Sequence, residues 1–195
     1  METDLPLLEA ARKMDQEALI QIFDLYASPL YKYALRLCRD SILADHIVGD
    51  VFAKLLEQFA AGKGPNSHLR SYLYETAYHL IIDEARSSQQ CAPLDVLTWF
   101  RPENSYGSLA MEDRLMFELV VYAIQQELTE DQRHVIVLRF LEEFSLRETA
   151  AILGKDVGLI KVIQSRAVAK LRNVFANHEI PLAVFLPETR KLSEI

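Results

Sequence analysis

Apolar positions recur at the helical period along most of this chain, and no stretch alternates with the period of two that a half-buried strand needs. From Asp15, a good N-cap, the stripe runs Leu19, Ile22, Phe23, Tyr26. Ser28-Pro29 then interrupts the helix and restarts it, with serine as cap and proline at the first helical position. Leu30, Tyr33, Ala34, Leu37 and Cys38 continue the stripe to Arg39-Asp40. A further helix is predicted from about Ser41 to Ala60, burying Ile47, Val48, Val51, Phe52, Leu55 and Leu56, with Asp45, His46, Gly49, Asp50, Lys54 and Glu57 on its other face. The stretch AAGKGPNS ends it. Another helix follows from about His68 to Arg86, burying Leu69, Tyr72, Leu73, Thr76, Ala77 and Leu80. After a lead of uncertain order (residues 1–14), residues 15–86 therefore read as one all-helical unit with short connections.

Residues 87–108 change character. Proline, glycine, serine and asparagine dominate except at an apolar island around Trp99 and Phe100, so this is a linker whose island is read as a patch docked on a neighbour. Helical spacing returns at Leu115, Met116, Leu119, Val120, Ala123 and Ile124, and Thr129 with Gln132 forms a capping box opening a helix through Val135, Ile136, Leu138 and Phe140. Ser145 and Glu148 make a second capping box, and Gly154 stands where a left-handed residue ends a helix. Asp156 caps the next helix, whose apolar positions are Val157, Ile160, Ile163 or Ala167, and Leu171. Ala150 at the crossing, Gly154 in the turn and Ile160 locking the second helix complete a helix-turn-helix. The second domain spans residues 109–176, and a tail with the core PLAVFLP occupies 177–195. The fold class is all-α: two small helical domains joined by a flexible linker.

With that stripe turned inward, the last helix presents Lys161, Val162, Ser165 and Arg166, flanked by Lys155, Lys170 and Arg172. Cations for phosphates beside short side chains for base edges are the footprint of a helix that reads the major groove. Charge qualifies this. The chain carries a net −7, while between Leu128 and Phe175 eight Lys or Arg face six Asp or Glu, a local +2. DNA affinity rests largely on neutralised phosphates, so binding by this chain unaided is expected to be weak. Cys38 and Cys91 make no disulfide framework or metal spacing and read as reduced thiols. The opening METDLPLLEAARKMD lacks the order of a signal peptide, and no apolar run approaches the roughly 20 residues of a membrane span, so a cytoplasmic location is expected.

Three stretches in this order resemble bacterial RNA polymerase sigma factors of the extracytoplasmic-function type. ADHIVGDVFAKLLEQF (44–59) is similar to the region 2 helix that docks on core polymerase. LRSYLYETAYHLIIDEAR (69–86) is similar to the helix that reads and melts the minus-ten element. Residues 128–172 resemble region 4 throughout. The resemblance implies a sigma factor that binds core RNA polymerase and directs promoter recognition, melting and initiation, without catalysis of its own and without a cofactor or metal. It implies that Asp45, His46, Asp50 and Lys54 face the polymerase clamp, and that the loop from Gly62 to Ser67, including Asn66, helps receive an unstacked base. Tyr74, Tyr78, His79 and Arg86 would line the non-template strand, where tyrosines suit base stacking. Lys155, Lys161, Val162, Ser165, Arg166 and Lys170 would serve the minus-thirty-five element. Core polymerase and promoter DNA are the implied partners, with an anti-sigma factor as a further one and no membrane insertion. The chain departs from the family where Tyr78 and His79 replace the common arginine and asparagine, where SSQQ follows Arg86 in place of a basic cluster, and where GLIKVI (158–163) replaces Gly-Thr-Val-Lys-Ser-Arg.

Other classes make different demands. A free-standing helix-turn-helix regulator would not co-purify with polymerase, and a degenerate sigma acting as an interaction protein would bind polymerase or an anti-sigma partner without opening promoters. Metal catalysis would have to use His46 with Asp50 or His79 with Asp83, each pair on one helical face, but no Glu-x-x-His pair or second carboxylate cluster completes a site.

Overall fold

The structure is a computed structural model that describes residues 5–87 and 123–177. Among these residues every regular element is helical. Apart from the tetrapeptide Ala151–Gly154, those up to Ser87 belong to one compact unit and those from 123 onward to a second. Cys91, the Trp99 island, the apolar positions from Leu115 to Val120 and the PLAVFLP tail lie outside the described residues.

The first unit contains α1 (Leu5–Arg12), α2 (Gln16–Cys38), α3 (Ser41–Ala60) and α4 (Leu69–Ser87). The lead thus carries a helix of its own, docked through buried Leu8 and Ala11. Asp15 caps α2, its Oδ1 accepting from the Ala18 amide at 2.9 Å. Contrary to the expected restart at Ser28-Pro29, α2 runs unbroken through Pro29. A proline inside a helix costs about 3 kcal/mol, and burial of Leu30, Tyr33 and Ala34 directly after it supplies the compensating packing. Arg39, left-handed at φ 61°, ends α2, and Asp40 caps α3 by accepting from the amides of Ile42 and Leu43. This two-residue link makes α2 and α3 an antiparallel pair, and α4 packs against both.

Helix α3 buries Ile47, Val48, Val51, Phe52, Leu55 and Phe59. Leu56, expected in that core, is instead 39 % exposed, at the rim of an apolar recess shared with Ile20 and Phe23 of α2. Helix α4 requires a larger correction. Tyr74, assigned above to a DNA strand, is fully buried, its ring 5.0 Å from that of Tyr33 and beneath the Arg70 guanidinium at 5.6 Å. Two neighbours, α2 and α3, widen the buried arc of α4 beyond a single stripe; Tyr74 and Ile81 fall inside it, whereas Tyr72, Thr76 and Leu80, expected to be buried, are half-buried.

The second unit contains the helical stretch 123–127 (α5), α6 (Glu130–Ile136), a π-helical segment (Val137–Leu141), α7 (Leu146–Ile152) and α8 (Val157–Asn177). Thr129 and Gln132 form the expected capping box on α6. The helix expected to run on through Phe140 widens instead, with the Glu142 amide donating to the Val137 carbonyl at 2.9 Å. Its core joins Ala123, Ile124, Leu128 and Ile136 to Ala167, Val168, Leu171 and Phe175 of α8.

Because Tyr74 fills the centre of the first unit, Tyr74→Ala is expected to cost about 3–5 kcal/mol of stability. Thermal unfolding followed by circular dichroism checks this, and an unchanged midpoint would put the ring back at the surface.

Candidate nucleic-acid interface

Local hydrogen bonding builds the helical pair α7–α8. The Ser145 amide donates to Glu148 Oε2 at 2.7 Å and the Glu148 amide to Ser145 Oγ at 3.2 Å, the reciprocal capping expected from the spacing. At the other end, Gly154 adopts φ +60° while its amide donates to the Ala151 carbonyl and that of Lys155 to the Ala150 carbonyl. This double closure is a Schellman motif, which needs a left-handed residue at the glycine. Asp156 then restarts the chain, its Oδ1 accepting from the Gly158 amide at 2.7 Å. Ala150 and Ile160 are buried.

The rotation of α8 is fixed from the inside. Arg139, only 3 % exposed, lies in the π-helical segment and donates through Nε to Gln164 Oε1 at 2.9 Å and through Nη1 to the Phe144 carbonyl. With Ile160, Gln164, Ala167, Val168 and Leu171 inward, the solvent face presents Leu159, Lys161, Val162, Ser165, Arg166, Ala169, Lys170 and Arg172. Lys161, Val162, Ser165 and Arg166 thus share the exposed side. Lys170 is exposed but ties its ammonium to the Glu127 carbonyl at 3.0 Å. Lys155 is drawn elsewhere: it pairs with Asp131 of α6 at 3.1 Å and keeps only 23 % of its side chain exposed, so it braces the helical pair. Leu159, to which the sequence pattern assigned no role, stands 47 % exposed beside Val162 at 45 %. Its signal in the sequence was the i, i+3 spacing to Val162.

In the first unit, Asp45, His46, Asp50 and Lys54 all lie exposed on the outer face of α3. Asn66 is exposed on the α3–α4 connection, where Gly62 and Gly64 take φ values of 69° and 95°. A Cβ at Gly64 would meet a Phe59 ring carbon at 3.1 Å, so this turn is closely packed. Arg12, which sequence reasoning passed over, reaches from α1 to donate to the carbonyls of Gly64 and Pro65 at 3.2 and 2.9 Å. On α4, half-buried Tyr78 and exposed His79 bring their rings to 5.3 Å, and exposed Arg86 lies 3.9 Å from Asp83. Tyr74 does not join them.

The family model for sigma-70 region 2 matches residues 22–90, and that for sigma-70 region 4 matches residues 126–173. The chain is 26 % identical over 170 residues to the ECF RNA polymerase sigma factor BldN of Streptomyces coelicolor, covering 86 % of this chain and 64 % of that protein, and so spans just under two thirds of this relative. It is 26 % identical over 162 residues to the ECF RNA polymerase sigma factor SigX of Bacillus subtilis, with 80 % of this chain and 83 % of SigX covered. Among solved structures, CnrH in complex with the cytosolic domain of CnrY shares the fold at a TM-score of 0.67 and 23 % identity, over 89 % of this chain and 97 % of CnrH.

Two outcomes follow from the interior of the second unit. Gln164→Leu leaves a buried guanidinium N–H unpaired and is expected to cost about 1–3 kcal/mol; in a double-mutant cycle with Arg139→Met, chemical denaturation should show the two costs to be non-additive. His134 is 1 % exposed; burial, then the Arg133 charge, partly opposed by Asp131 and aided by Lys155, pulls it down to about 3 from 6.5. Between those values the unfolded chain takes up a proton that the folded chain refuses, so stability falls as pH falls. From pH 6.5 to 5 the loss is about 2 kcal/mol, and His134→Gln should flatten that part of the denaturation profile.

Proposed function

The chain belongs to the sigma-70 family as a sigma factor of the extracytoplasmic-function type, and from that membership we propose how its two units divide the work. A sigma factor binds core RNA polymerase and directs promoter recognition, melting and transcription initiation, and is not itself an enzyme. The exposed face of α3, with Asp45, His46, Asp50 and Lys54, docks on the polymerase. The α3–α4 connection with Asn66, and Tyr78, His79 and Arg86 of α4, handle the opened minus-ten strand. Lys161, Val162, Ser165 and Arg166, with Lys170 at the edge, read the minus-thirty-five element in the major groove.

The observation that carries this reading is the presentation of α8. A capping box, a Schellman turn and a buried arginine hold one face of the helix in solvent, and that face carries both cations and short side chains. The acidic remainder of the chain agrees with a factor that relies on polymerase for affinity. The cytoplasm, where polymerase works, is the proposed location; no described helix is long and apolar enough to cross a membrane. An anti-sigma factor is proposed as a further partner, an assignment supported by the neighbour CnrH having been solved with a protein domain bound to it.

Reconstitution with sigma-free core polymerase on fragmented genomic DNA of the source tests the reading. Discrete transcript starts sharing a two-part upstream element are expected, and Arg166→Ala should lower initiation roughly tenfold, the share of one good base or phosphate contact. Asp50→Arg should weaken co-elution with polymerase. Co-elution without any starts would favour a degenerate sigma, and neither would favour a free-standing regulator.

A further inference from the structure

On the outward face of α8, the strip centred on Val162 holds few side-chain hydrogen-bond donors. At about 100° per residue, Gly158, Val162 and Arg166 lie in one i, i+4 row, and Leu159, Val162, Ser165 and Ala169 follow the crossing rows. All are exposed, and Val162 lies at their centre. Only Ser165 and Arg166 in this strip carry side-chain donors, while Lys161 stands to one side. Gly158 adds no side chain, and a Cβ there would meet Asp156 Oδ1 at 2.9 Å, so the strip begins with bare backbone in the first turn. Leu159 and Val162 leave nearly half their surface in water at the N-terminal end of the helix, the end that enters a groove first in helix-turn-helix docking.

Isolated apolar residues on a surface are ordinary. These two, however, are adjacent, lie next to the cations of α8, and leave the strip between those cations with only Ser165 and Arg166 to distinguish bases by hydrogen bonding. In the major groove the one apolar group on a base edge is the thymine C5-methyl. Resting on the assignment of α8 to the minus-thirty-five element, we propose that Leu159 and Val162 are specificity-determining residues that select thymines through their methyl groups. Ser165 and Arg166 supply the polar contacts around them, and Lys161 supplies phosphate contact.

Deoxyuridine removes that methyl group and nothing else. With the full-length protein on core polymerase and a promoter mapped as above, each thymine of the upstream element is replaced singly by deoxyuridine and initiation is measured. One or two positions should lose roughly fourfold in initiation, the equivalent of about 0.8 kcal/mol for one buried methyl-sized group. Leu159→Ala and Val162→Ala should each abolish the thymine–uracil difference at one position, the ratio of initiation on the two templates falling to about one. Both residues are exposed, so the variants are expected to fold, and an unchanged melting profile verifies it. Equal initiation on both templates by the wild type overturns the proposal while leaving the sigma assignment standing. So does an alanine variant that loses activity equally on both templates, which would mark the pair as a protein-docking surface. Absence of any discrete start overturns both readings.

Discussion

A buried guanidinium organises the second half of this protein. Removing a cation from water costs several kcal/mol unless its hydrogen bonds are replaced, and among the groups that replace them for Arg139 are the Phe144 carbonyl and the Gln164 amide. The first ties down the loop ahead of α7, and the second joins the apolar core in holding the inward face of α8. Ile160, Ala167, Val168, Leu171 and Phe175 hold the same face of α8 inward by packing, so the Gln164 bond adds a directional contact to a rotation that the core already favours. Arg139 lies in the π-helical turn, directly after the buried positions Val135, Ile136, Val137 and Leu138.

The features legible in the sequence were those set by hydrogen bonds between near neighbours. Ser145 with Glu148, Thr129 with Gln132, Gly154 and Asp156 each define a cap or turn within a few residues, and each stands where its spacing put it. The polar face of α3 was equally plain, because its neighbours leave Asp45, His46, Asp50 and Lys54 in solvent, with only Leu56 misplaced. Features decided by distant packing were not legible. Pro29 reads locally as a break, and only the core against which Leu30 and Tyr33 pack keeps α2 whole. Tyr74 reads as an exposed aromatic until α2 and α3 are seen to enclose it from two sides. Leu159 lies off the inward stripe and was given no role, and only the folded helix shows how much of its side chain stands in water.

Counting charges along the chain also overstates what the DNA-facing helix can offer. The local excess between Leu128 and Phe175 is two, yet Lys155 is engaged with Asp131 and Lys170 with the Glu127 carbonyl. Such contacts compete with phosphate. On the proposed reading, recognition by α8 is then weak taken alone and tethering becomes decisive: docking of α3 on polymerase would turn the second contact into an intramolecular event at high effective concentration. An acidic chain suits that arrangement, because repulsion from phosphate would keep such a factor off DNA until polymerase presents it.

The α3–α4 connection obeys the opposite economy, stiffness in place of tethering. Three residues between 62 and 68 hold left-handed backbone, and one of them, His68, is not glycine. A loop of that kind persists only when its surroundings over-determine it, and here Arg12 binds two of its carbonyls while Phe59 packs beneath Gly64. On the proposed reading this loop receives an unstacked base, a task in which any ordering cost at the moment of capture subtracts from the stacking energy gained. A connection already fixed by α1 and α3 meets that cost during folding. The lead helix, which the sequence pattern left unassigned, thus holds still a loop that it does not itself contain, and on the proposed reading that stiffness serves promoter opening.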